Sequence, residues 1–248
     1  MRGHRDMRSA LFERPGRARS PPVKTLGMTS TPAKVKICGI TDRAALTAAA
    51  EGGADYIGLV FFPKSPRNLS LAQARELRAC ARDLGVRAVA LLVDPTDEAL
   101  ARLVDEIDPD LIQLHGAESV ARVEDIRSRW GRPLIKAVSV ASSDDAVKGK
   151  AYHAPDRLAD IILFDAKPTL DADLPGGNGL VFDWHVLEPV MGELPFALAG
   201  GLNADNVAEA IRRTGAHIVD VSSGVERAPG VKDVEMIRRF LRAAKGAN

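Results

Sequence analysis

From residue 34 onward, short apolar runs alternate with stretches in which apolar side chains recur every three or four positions. The runs are Val35–Ile40, Tyr56–Phe62, Arg87–Val93, Leu111–His115, Leu134–Val140, Ile161–Ala166, Phe196–Gly200 and His217–Ser222. They are rich in β-branched residues and close to continuously apolar. That pattern belongs to strands covered on both faces of a parallel sheet, since a sheet with one wet face would alternate. The intervening stretches read as helices. Ser70 precedes one stripe of Leu71, Ala74, Leu77, Ala81 and Leu84, with Arg75, Arg78 and Arg82 expected to face away. Asn203 is expected to cap a helix carrying Val207, Ala210 and Ile211, and Val234, Ile237, Leu241 and Ala244 mark the last helix. Segment 143–158 is polar, holds Gly149 and Pro155, and predicts a short or frayed helix.

Strands alternating with helices imply a parallel sheet wrapped by helices. Eight such units over 34–245 predict an α/β fold, a single (β/α)8 TIM barrel, which takes about 200–250 residues. An open doubly wound sheet would want Gly-x-Gly-x-x-Gly after its first strand. The turn here reads Cys38-Gly39-Ile40-Thr41-Asp42.

Composition changes this picture mainly at the N-terminus. The formal net charge is +1, yet residues 1–27 hold seven basic side chains against Asp6 and Glu13. The domain reading is therefore a disordered extension over 1–33 and a barrel over 34–248. The extension is rich in Arg and Pro and poor in apolar periodicity, too poor to offset its ordering entropy. Its Arg and Ser content faintly suggests a transit peptide, but the prolines spoil an amphipathic helix, and Met28 is an alternative start. Near-neutral charge gives no reason to expect nucleic acid or membrane as partners. Two cysteines, Cys38 and Cys80, make no disulfide framework, so a reducing cytoplasm is the expected compartment. Cys80, between Leu77 and Leu84, reads as core.

Barrel active sites lie at the C-terminal ends of the strands. There the sequence puts Cys38 after the first strand, Arg67 after the second, Asp94 after the third, Gln113 and His115 at the fourth, and Asp165 at the sixth. Gly200-Gly201 follows the seventh strand and Ser222-Ser223-Gly224 the eighth. Glycines there let backbone N–H groups close on an anion, and these loops are the usual phosphate site of such barrels. Cys38, beside a helix start and near arginine, is expected to have a lowered pKa and to serve as base or nucleophile. Asp165 ends an apolar strand, where burial would keep a carboxyl protonated as an acid. No pair of ligands at short spacing supports a metal.

These same residues resemble the phosphoribosylanthranilate isomerase family. Lys36-Ile37-Cys38-Gly39-Ile40-Thr41 is similar to its opening strand. Gly58–Phe62 with Ser65-Pro66-Arg67, Gln113-Leu114-His115-Gly116, and Leu163-Phe164-Asp165 resemble the strands and loops that follow. Gly176-Gly177-Asn178-Gly179 with Phe182-Asp183-Trp184, Ala199–Leu202, and Asp220–Glu226 complete the series in the family's order. The resemblance implies an Amadori rearrangement of a phosphorylated substrate, N-(5-phosphoribosyl)anthranilate, with no cofactor and no metal. It implies Asp165 as general acid and Cys38 as general base. Arg67 would pair with the anthranilate carboxylate, and Gln113, His115 and Asp183 would line the pocket. Gly200, Gly201, Asn203, Ser222, Ser223 and Gly224 would hold the phosphate. A monomer or a homodimer is expected. Asn178, where the family has Thr, and Leu180, where a basic residue is common, depart from the pattern.

Two rival readings remain at this stage. An isomerase of the histidine-pathway aminoaldose would do similar chemistry, but with two Asp, against which Cys38 speaks. A non-catalytic sugar-phosphate sensor would need neither Cys38 nor Asp165.

Overall fold

The computed structural model describes residues 32–153, 158–167, 176, 177, 179 and 182–247. Eight parallel strands close into a barrel, each paired with the next and the eighth with the first. They are β1 Lys34–Cys38, β2 Tyr56–Phe61, β3 Arg87–Leu92, β4 Leu111–Leu114, β5 Leu134–Val140, β6 Ile161–Ala166, β7 Phe196–Leu198 and β8 Ile218–Val221. All eight expected runs are strands, trimmed by a residue or two at several C-terminal ends, where the chain turns into the loops. The helices are α1 Arg43–Glu51, α2 Leu71–Asp83, α3 Asp97–Ile107, α4 Val120–Trp130, α5 Ser143–Gly149, α6 Val207–Thr214 and α7 Val234–Lys245. A two-stranded ribbon, β9 Glu226–Ala228 and β10 Val231–Lys232, lies between β8 and α7.

Local chemistry starts these helices where it should. Ser70 closes a capping box with Gln73, and Asp42, Thr96, Ser119, Ser142 and Asp233 each accept an N–H from the first turn of their helix. Two helical expectations are corrected. Asn206, not Asn203, precedes α6, and its amide oxygen takes the Asn203 N–H at 2.8 Å. Arg78 does not face away. It is buried, because its guanidinium donates to Asp108 O and Asp110 Oδ1 at 2.9 Å each and ties α2 to the start of β4. Ala33, the last residue of the expected extension, is also buried in the core. Residues 1–31, with Met28, and the departures Asn178 and Leu180 lie outside the described residues.

Alternation along the strands divides the interior into layers. Tyr56, Val89, Leu111, Ile135, Leu163, Ala197 and Ile218 fill the lower barrel. Cys38, Val60 and Leu91 form a small cluster above them. The opposite faces, such as Val35, Ile57, Ala90, Ile112 and Phe164, pack with the helices as the main core, which includes Cys80. At the lower rim, three carboxylates each accept a backbone N–H from the first or second residue of a strand: Asp55 from Val35, Asp110 from Ala88 and Asp160 from Leu134, at 2.7–2.9 Å. Under the loop after β4, Lys136 of β5 meets Glu118 at 2.7 Å, both almost wholly buried. Glu118 also accepts the N–H groups of Gly116 and Asp94. Among the described residues, no helix is long and apolar enough to cross a membrane.

Candidate active site

The C-terminal strand ends surround a cleft at the mouth of the barrel. Cys38, Arg67, His115 and Asp165 line it, together with Gly200, Gly201, Ser222, Ser223 and Gly224. Cys38 at the end of β1 is nearly buried, with Val60 and Leu91 beside it. The expected lowering of its pKa is overturned. Burial pushes the thiol up, and the attraction of Lys36 and Lys232 does not outweigh it. The cations near it are thus lysines rather than arginine.

Asp165 is also buried; its Oδ1 accepts the Ala166 N–H at 2.8 Å. Its Oδ2 lies 3.3 Å from His115 Nε2, and His115 Nδ1 meets the amide of Gln113 at 2.8 Å. A line of three polar groups thus runs from inside the barrel to the cleft. Gln113 is fully buried behind His115 and is not itself part of the cleft wall. Gly176, on the loop after β6, rests on both: a Cβ there would come within 2.5 Å of His115 Nε2 and 2.6 Å of Asp165 Oδ2.

Arg67 is buried at the cleft edge and already engaged. Its Nε and Nη2 donate to the two carboxylate oxygens of Glu226 at 2.8 Å each. The bidentate edge expected to grip a ligand is occupied; Nη2 also donates to Gly177 O at 3.4 Å, which leaves Nη1 as the remaining nitrogen. Glu226 also accepts from Lys232 Nζ at 2.8 Å. Burial works to raise its pKa, but hydrogen bonding by Arg67 and the charge of Lys232 hold it low, so it stays ionised. Lys232 further donates to Ser222 O at 2.9 Å, linking the β9–β10 ribbon to the loop after β8.

That loop and the one after β7 touch. A Cβ on Gly224 would meet Leu202 O at 1.9 Å, so only glycine allows the approach. A short 3-10 turn over Ser223–Val225 begins beside the cleft. Asn203 stands apart from the cleft wall, with its N–H taken by Asn206. Asp183 is exposed, lies off the cleft wall, and caps the turn at Trp184 by accepting the His185 N–H at 3.1 Å. Lys36, Asp220, Glu226 and Lys232 escaped the sequence reading as functional residues. For Lys36 and Asp220 the signal available was a charged residue inside an otherwise apolar strand. Among the described residues, no three His, Cys, Asp or Glu side chains gather as a metal site.

Both the sequence and the fold find relatives. Residues 35–243 match the family described as N-(5'phosphoribosyl)anthranilate (PRA) isomerase. An N-(5'-phosphoribosyl)anthranilate isomerase of Bradyrhizobium sp. (strain BTAi1) is 52% identical over 213 residues, covering 86% of this chain and 95% of that protein. A Thermotoga maritima structure, described as monomers generated from a dimeric phosphoribosylanthranilate isomerase, superposes with a TM-score of 0.73 at 34% identity. It covers 86% of this chain and 99% of that one. A phosphoribosyl anthranilate isomerase in complex with reduced 1-(o-carboxyphenylamino)-1-deoxyribulose 5-phosphate gives 0.74 at 33% identity, with the same coverage. A closed barrel with these loops at its mouth, matched in sequence over nearly all of its length, leaves one assignment: the chain belongs to the N-(5'-phosphoribosyl)anthranilate isomerase family.

Proposed function

We propose that the protein catalyses the Amadori rearrangement of N-(5-phosphoribosyl)anthranilate to 1-(2-carboxyphenylamino)-1-deoxyribulose 5-phosphate, a step of tryptophan biosynthesis. The observation that carries this is the meeting of Cys38 from β1 and Asp165 from β6 in one cleft, with the two glycine loops beside them. Asp165 as general acid gives a proton to the furanose ring oxygen. The C1–O bond breaks, and the anilino nitrogen lone pair forms a Schiff base. Cys38 as thiolate then takes the proton from C2: the C–H bond breaks, S–H forms, and the electron pair leaves an enolamine. Tautomerisation with protonation at C1 yields the ketone. The steps are proton transfers and the C–O cleavage they drive, with no change of overall oxidation state, so the residues suffice without a cofactor. His115 stands beside Asp165, its Nε2 3.3 Å from the carboxyl Oδ2.

Gly200, Gly201, Ser222, Ser223 and Gly224 are the phosphate-binding residues in this reading, and Arg67 reaches the anthranilate carboxylate through the end left free by Glu226. Asn203 and Asp183 contribute through loop shape rather than contact. The barrel is the catalytic domain, residues before it form an extension, the compartment is the cytoplasm, and the working unit is a monomer or homodimer.

The test is direct. Purified protein converts N-(5-phosphoribosyl)anthranilate, and the gene restores growth to a tryptophan auxotroph lacking the isomerase. Tight binding without turnover would replace this reading with a sensor. Gly176→Ala is a sharper check: its methyl group collides with His115 and Asp165. A displacement of that order lowers kcat by about 10²-fold, while the melting temperature stays close to that of the parent. Unchanged turnover would show that the two side chains are not held in place for the reaction.

A further inference from the structure

We infer that Lys36 and Asp220, a buried ion pair on neighbouring strands, are positioning residues that set the ionisation of Cys38. The catalytic use of this arrangement rests on the reading of Cys38 as the base; the electrostatic claim stands by itself. Lys36 of β1 and Asp220 of β8 face each other in register, with Nζ and Oδ2 2.9 Å apart. Lys36 is 1% exposed and Asp220 6%. Inside a barrel, such a pair is a poor device for stability, because desolvating both charges offsets their attraction and apolar residues would pack as well. The pair is also incomplete. Asp220 Oδ1 is buried with no hydrogen-bond partner, although Asp220 borders the cleft.

What the pair adjoins is the thiol. Two residues along β1, the Cys38 side chain lies on the same inner face as Lys36. Both side chains crowd the space above Gly58 of β2. A Cβ built there would lie 2.8 Å from Cys38 Sγ and 3.3 Å from Lys36 Nζ. The missing side chain at position 58 is what lets the ammonium and the sulfur share that space.

The charged groups facing Cys38 come from three elements. Lys36 on its own strand and Lys232 on β10 favour the thiolate, while Asp220 on β8 opposes it. Asp165, His115 and Arg67 complete the ionisable wall of the cleft. Burial alone would leave the thiol too weak an acid to release its proton, and a bare lysine would hold a permanent, feebly basic thiolate. Lys36, partly neutralised by Asp220, draws the thiol back toward ionisation, while burial still holds it above its ordinary value.

The experiment is a pH titration of the Cβ chemical shift of isotope-labelled cysteine in the whole chain, with the Cys38 signal assigned by its loss in Cys38→Ala. Lys36→Met raises the Cys38 midpoint, and Asp220→Asn lowers it. Each moves the thiolate fraction about tenfold, or about one pKa unit. The pH dependence of kcat shifts in the same two directions, while KM changes little. A purely structural pair would move stability and leave the midpoint alone. Shifts in the same direction, or none, overturn the inference. Should Lys36→Met fail to fold, the near-isosteric Asp220→Asn decides by itself: a downward shift supports the inference, and an upward or absent one overturns it. Opposed shifts in a protein whose Cys38→Ala variant keeps full turnover would uphold the electrostatic claim and remove only the catalytic reading.

Discussion

Cys38→Ala and Asp165→Asn each lower kcat by about 10²–10⁴-fold, the ordinary worth of a positioned acid or base, with binding of a reduced, unreactive product analogue nearly unchanged. The two losses arise at different steps. Without the Asp165 proton, the ring oxygen departs as a poor leaving group. Without Cys38, the Schiff base forms but its C2 proton stays. Both side chains are buried at the cleft wall, on β1 and β6, away from the loops after β7 and β8 to which the proposed reading gives the phosphate. The double variant loses little more than the worse single one, because residues that act in one sequence are not additive. Steady-state kinetics and titration calorimetry on the same preparations separate the effects. Equal losses of binding and turnover would mean that these residues hold the substrate rather than transform it.

Glu118→Ala destabilises the fold by about 3–5 kcal/mol, the cost of stranding a buried charge. Lys136 Nζ sits 2.7 Å from Glu118 Oε2, with side chains 3% and 2% exposed. Glu118 also fastens the turn after β4 by accepting from Gly116 and Asp94, and its own carbonyl accepts from Tyr152. Removing the carboxylate leaves the buried ammonium with only the Gly116 carbonyl, 2.8 Å away, and strands two N–H groups at once. Replacing both partners, as Glu118→Leu with Lys136→Met, recovers much of the loss, since the remaining charge disappears. Denaturant unfolding measures each variant. A loss under about 1 kcal/mol for Glu118→Ala, the range of an exposed pair, would show that water reaches the lysine.

The strands were legible because burial on both faces writes itself as β-branched runs, and the cleft residues because a barrel fixes which strand ends carry chemistry. What could not be read depended on partners far along the chain. Arg78 has the same helical spacing from Arg75 as an exposed arginine would, and only the approach of Asp108 and Asp110 from the next unit buries it. Arg67 looked free because Glu226 lies 159 residues away. Lys36 drew no functional reading because its partner Asp220 is 184 residues distant. The direction of the Cys38 shift failed for a related reason. A helix start and a cation are visible in sequence, whereas the depth of burial that outweighs them belongs to the assembled barrel. Asn203 shows the limit of capping rules, since two residues that both suit a cap stand three apart and the loop geometry chose Asn206.

The clips of Asp55, Asp110 and Asp160 sit on β1, β3 and β5, at the rim opposite the cleft. Each ties the entry of one strand to the segment leading into the next, without a single atom from the loops that meet substrate. Cohesion and chemistry thereby occupy different ends of the same cylinder. Loops at the reactive end can be exchanged for others while the staves stay bound at the base, which gives a scaffold of this kind room to change its substrate without first losing its shape.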